Sequence, residues 1–138
     1  MKKQTIGLAI MIPLMALAGC QSPSKSGPGS LAFGSDKAAL ATMERVAIAA
    51  NNCWFKSKDP SFKPYRLAPE LNSYSGRPRI LVVPANNPGD RPLLVVHAEG
   101  NPAKVEAFGP LMSHSSGNRI AADVRRWAAG QSSCSAQS

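Results

Sequence analysis

The chain reads as an α+β domain: a four-stranded antiparallel meander flanked in sequence by an N-terminal and a C-terminal helix. Three observations predict it. Apolar residues recur at helical spacing near each end of the region from Asp36 to Cys134. Between those ends lie four β-rich runs separated by turn signals, and the links that join them are short.

The first helix is expected in "DKAALATMERVAIAANNCW", where Leu40, Met43, Ala47, Ala50 and Trp54 fall on one face. Ser35 or Asp36 would cap its start, and the pair Asn51 and Asn52 would stop it.

The strands follow as "YRLAPEL", "RILVVP", "PLLVVHAEG" and "KVEAFG". Pro69 has no N–H to give to a ladder, so the first run belongs at an edge. "PANNPGDRP" and "GNPA" supply hairpin connections. With "GNPA" as a four-residue loop, Glu99 faces Lys104, His97 faces Glu106 and Val95 faces Phe108, while Ala98 faces Val105 and Val96 faces Ala107. The second set is apolar and suits the helix-covered side. Continuing the register places Val83 by Leu93, Leu81 by Val95 and Arg79 by His97.

That register divides the outer face of the sheet. One end is apolar, with Leu81, Val83, Leu93, Val95 and Phe108; the other is charged, with Arg77, Arg79, His97, Glu99, Lys104 and Glu106. Covered by a helix or by "CWFKSKDPSFKPY", the apolar end is ordinary core. Left open, it is a contact surface for a partner protein or lipid chains, with Arg77, Arg79, His97 and Glu106 as its candidate polar contacts. His97 opposite Glu106 reads as a cross-strand polar pair, or as a pH-sensitive patch if the carboxylate favours the charged imidazole. The final helix is "GNRIAADVRRWAAG", with Ile120, Val124 and Trp127 on its apolar stripe, Asn118 to cap it and Gly130 to end it.

Ahead of the domain, Lys2 and Lys3 precede an uncharged apolar run that closes on small residues and a cysteine, "LMALAGCQS". Charge, apolar core and small residues in this order form a secretory leader. Spanning a bilayer takes about 20 apolar residues, and the uncharged run here is shorter and interrupted by Pro13. "LAGC", residues 17–20, resembles the lipobox of bacterial lipoproteins. The resemblance implies cleavage of residues 1–19 and acylation of Cys20, which becomes the first mature residue. Gln21, standing where Asp would favour inner-membrane retention, implies delivery to the outer membrane, with a periplasm-facing domain as the default. Multiple acyl chains on one cysteine hold a protein to its membrane, whereas a single chain does so only marginally. Residues 20–35 are rich in Ser, Gly and Pro and read as a flexible tether, which leaves residues 36–138 for the domain.

With Cys20 acylated, Cys53 and Cys134 remain, either as a disulfide in an oxidising compartment or as two buried thiols; the bridge is the expectation.

The full chain carries 16 basic against 8 acidic residues, and loss of Lys2 and Lys3 leaves a net charge of +6. Such a surface attracts anionic envelope glycolipid or polymer, or simply keeps the protein soluble; nucleic acid is not an expected partner there. Catalytic signals are thin. His97 and His114 lack metal-ligand spacing and form only a loose set with Glu99, Glu106 or Asp123; "MSHSSG" gives adjacency without a triad; no glycine-rich phosphate loop is present. No metal, cofactor or enzymatic activity is expected. The reading is a lipid-anchored binding or structural accessory of the envelope. Direct binding of an anionic glycolipid or polymer through the arginines is the alternative, and a small hydrolase or enzyme inhibitor comes third.

Overall fold

The computed structural model describes residues 29–72 and 74–135. The expected leader, Cys20 and residues 21–28 of the expected tether lie outside that range. The described chain runs β1 (Ser30–Gly34), α1 (Ala39–Ala50), a π-helical segment (Asn51–Lys56), a short 3-10 turn (Pro60–Phe62), β2 (Tyr65–Glu70), β3 (Arg79–Pro84), β4 (Leu94–Glu99), β5 (Lys104–Phe108), a second 3-10 turn (Pro110–Ser113) and α2 (Gly117–Ala128). The class is α+β, with every strand pair antiparallel.

The sheet has five strands, in the order β1-β5-β4-β3-β2, rather than four. The addition is β1, drawn from residues expected to close the tether. Its alternation explains why it folds. Leu31 and Phe33 point to the helix side, opposite Ala107 and Val105 of β5, and Leu31 is buried there. The Ser35 N–H donates to the Ala103 carbonyl at 2.8 Å and the Ala103 N–H to the Lys37 carbonyl at 2.7 Å, so the pairing runs past the strand. Folded structure therefore begins before Asp36.

The registers of β3, β4 and β5 are those expected: Glu99 opposite Lys104, His97 opposite Glu106, Val95 opposite Phe108, Leu81 opposite Val95 and Arg79 opposite His97. A slip of one residue would turn Val96, Ala98, Val105 and Ala107 outward, and all four are buried. β2 is the far edge, where Pro69 interrupts no second partner.

The helix ends depart in part from expectation. Ala38 occupies the N-cap of α1 without a side-chain cap; Ser35 Oγ instead shares a 2.9 Å hydrogen bond with Thr42 Oγ1, and Asp36 pairs with Arg45. The α-helix does end at the expected asparagines, with Asn51 as its C-cap, but the chain goes on turning. Asn51 and Asn52 open the π-helical segment, whose wider turns bring Cys53 and Trp54 inward together. Leu40, placed by its spacing on the apolar face, is exposed. α2 follows Ser116, not Asn118. Gly130 does end it: at φ 98° it donates to the Trp127 carbonyl while the Gln131 N–H reaches the Arg126 carbonyl, the paired bonds of a Schellman cap.

One core joins the inner face of the sheet to both helices and the π-helical segment. At its thick end Trp54 stacks on Phe62, centroids 4.6 Å apart and planes 9° off parallel, and meets Trp127 at 5.0 Å and 57°. Offset stacked and tilted aromatic pairs of this kind add to the area they bury. Beside them Cys53 and Cys134 form a disulfide across 81 residues of sequence.

Candidate functional site

Arg77, Arg79, His97 and Glu106 gather on the outer sheet face, the side away from the helices. Glu106 is the hub. Its Oε2 lies 2.9 Å from His97 Nε2 and its Oε1 lies 2.7 Å from Lys104 Nζ. These two donors, Lys104 first, hold the Glu106 carboxyl below its ordinary range against the opposing pull of burial. The two arginines carry their own counter-ions: Arg77 Nε lies 2.7 Å from Glu99, and Arg79 pairs with Glu70 of the edge strand. The basic end is thus locally neutralised, which a list of scattered arginines did not reveal.

The apolar end is narrower than its register suggests. Val83 is only 2% exposed, and Leu93 leans onto the main core cluster. Leu81 and Val95 are half-buried, and Phe108 remains 42% exposed with its ring edge-on to His97 at 5.7 Å. Neither helix covers this end. The segment "CWFKSKDPSFKPY" does not cover it either, since Trp54 and Phe62 pack into the core on the helix side.

A second constellation was not anticipated. The π-helical segment, the following 3-10 turn and the start of β2 enclose a cleft of about 560 Å³. Buried Trp54 and Phe62 form its floor, half-buried Phe55 and Tyr65 its walls, and exposed Lys58 and Lys63 its rim. Asp59 is its one carboxylate, and both oxygens are committed. Oδ1 accepts the Ser61 N–H at 2.9 Å, and Oδ2 pairs with Arg119 of α2, whose guanidinium lies 5.8 Å from the Phe62 centroid. Lys58 is the sole described non-glycine residue with positive φ, at 57°, immediately after the helix. The spacing of "FKSKDPSFKPY" brackets three lysines with aromatics, of which Lys58 and Lys63 line the cleft, and this is its one sequence signal.

Arg119, ahead of the Ser61 N–H, holds the Asp59 carboxyl below the usual carboxylate range although burial opposes it. A depressed folded value means that the stabilisation is complete above the unfolded pKa, near 3.9, and is lost as pH falls through the folded one. The expected result is that Asp59→Asn flattens the loss of stability between about pH 4 and pH 2. Urea midpoints across that window check it, and parallel profiles for the two proteins would show that the pair contributes nothing.

The chain matches no known protein family, no curated protein and no solved structure. Among the described residues no group of three or more His, Cys, Asp or Glu side chains could hold a metal ion, and no helix is long and apolar enough to cross a membrane. His114 stands exposed just after the second 3-10 turn, outside both surfaces.

Proposed function

We propose that the protein is an outer-membrane lipoprotein, anchored by acylated Cys20, whose domain acts as a binding accessory of the cell envelope through the outer face of its sheet. One observation carries the binding role. Phe108 is 42% exposed on that face, and with half-buried Leu81 and Val95 it forms an apolar end beside a polar cluster centred on Glu106. The partner this favours is a protein. An anionic glycolipid or polymer needs uncommitted cations, whereas Arg77 and Arg79 already face Glu99 and Glu70.

A photo-crosslinking residue at Val95, in intact cells of the native host, is expected to capture one protein, and Phe108→Arg to abolish the capture. A crosslinker at Glu44, exposed on α1, serves as control. Salt-sensitive capture of glycolipid instead would favour the alternative reading. Anchoring is checked in the same cells: Cys20→Ser is expected to release the protein from the membrane fraction and remove acyl mass.

A further inference from the structure

The aromatic cleft beside β2 has the chemistry of a ligand site independent of the sheet face. Its volume, about 560 Å³, lies within the range of small-molecule pockets, and such pockets combine apolar walls with a few placed polar groups. Phe55 and Tyr65 provide the walls. The polar groups are two ammoniums with no carboxylate partner among the described residues, because Asp59 is held by Arg119 and the Ser61 N–H. The rim therefore keeps a local charge of about two positive units, which an oxyanion would neutralise.

The conformation of Lys58 supplies a second, independent observation. Its N–H donates to the Phe55 carbonyl at 3.0 Å and its φ of 57° closes the π-helical segment, a position where glycine or asparagine is the ordinary residue. A lysine there accepts backbone strain and puts a cation at the mouth of the cleft. Strained residues and π-helical turns both concentrate at functional sites. We propose that this cleft binds a small amphipathic anion, its ring or short apolar body between Phe55 and Tyr65 and its phosphate-class head group between Lys58 and Lys63. Lysine suits such a head as a mobile point charge, and the aromatic walls exclude inorganic phosphate as an equal ligand.

The test uses 2-naphthyl phosphate as probe, with 2-naphthol and inorganic phosphate as its separated halves, against the full chain carrying Cys20→Ser. Amide NMR shifts are expected to concentrate in residues 55–65, with each half binding at least about tenfold more weakly than the whole probe. Lys58→Gly removes the cation and relieves the backbone. It is expected to weaken binding by about tenfold while leaving the thermal midpoint unchanged or higher, a combination that damage to the fold cannot produce. Lys63→Gln should weaken binding similarly. Three results would overturn the proposal: undiminished binding in both variants, equal affinity for inorganic phosphate and 2-naphthyl phosphate, or lysine-dependent binding to phosphatidylglycerol vesicles without binding of the probe. The last would assign these cations to a membrane surface.

Discussion

Removing the Cys53–Cys134 bridge, by reduction or by the pair Cys53→Ala and Cys134→Ala, is expected to lower stability by about 4 kcal/mol. The loop it closes spans 81 residues, for which chain-entropy reasoning gives about 4.5 kcal/mol as an upper figure. A domain of this size holds on the order of 5–15 kcal/mol in all, so the reduced protein should melt roughly 15–30 °C lower. Native packing need not change much at first. The tail after α2 is also held by two side chains, since Arg126 Nε and Trp127 Nε1 each donate to the Ser133 carbonyl at 3.0 Å. Denaturant midpoints with and without reductant measure the effect. A difference below about 1 kcal/mol would mean that these hydrogen bonds fix the tail and that the covalent closure constrains little.

The bridge was legible because, on the reading of Cys20 as acylated in an exported chain, cysteine arithmetic leaves Cys53 and Cys134 as the expected pair. Sheet register was legible for a different reason. In "LLVVHAEG" and "KVEAF" a single-residue slip exchanges an all-apolar set for a charged one, and a four-residue loop leaves few ways to pair. β1 was not legible from its composition. "SLAFG" sits among Ser, Gly and Pro, and its partner β5 lies some 70 residues later, so only the Leu31–Phe33 alternation hinted at a strand. Neutralisation of Arg77 and Arg79 depended on β2, β3 and β4 lying side by side, which charge counting cannot supply. The cleft needed the π-helical segment, the 3-10 turn and the start of β2 to fold together, and no periodicity describes a π-helical turn ending on a left-handed lysine.

Asp123 shows how a polar residue on an apolar stripe should be read. It falls between Ile120 and Trp127 at the spacing of the buried face of α2, beside Val124, and is only 3% exposed. Burial of a carboxylate demands partners. The Trp54 indole N–H donates to its Oδ2 at 2.8 Å, Arg126 donates to its Oδ1, and Arg119 Nε stands 3.6 Å from Oδ2. Arg126 is half-buried, its side chain 8% exposed, and it reaches on to Ser133 next to Cys134. A circuit results: Asp123 to Arg126, to Ser133, through the disulfide to Cys53, and back by way of neighbouring Trp54.

Asp123→Ala is therefore expected to cost about 3–5 kcal/mol, most of it from leaving the Arg126 guanidinium and the indole N–H buried without their acceptor. The simultaneous change Asp123→Leu with Arg126→Met should cost much less, because it withdraws both charges and returns apolar volume to the stripe. Equilibrium unfolding of the two proteins gives the comparison directly; a double variant as unstable as Asp123→Ala would show that the pair contributes net attraction. Combining Asp123→Ala with loss of the disulfide should be less than additive, since each change loosens the same circuit and the second finds part of it already open. Strict additivity would instead mean that Trp54, Asp123 and Arg126 hold α2 to the π-helical segment independently of the tail.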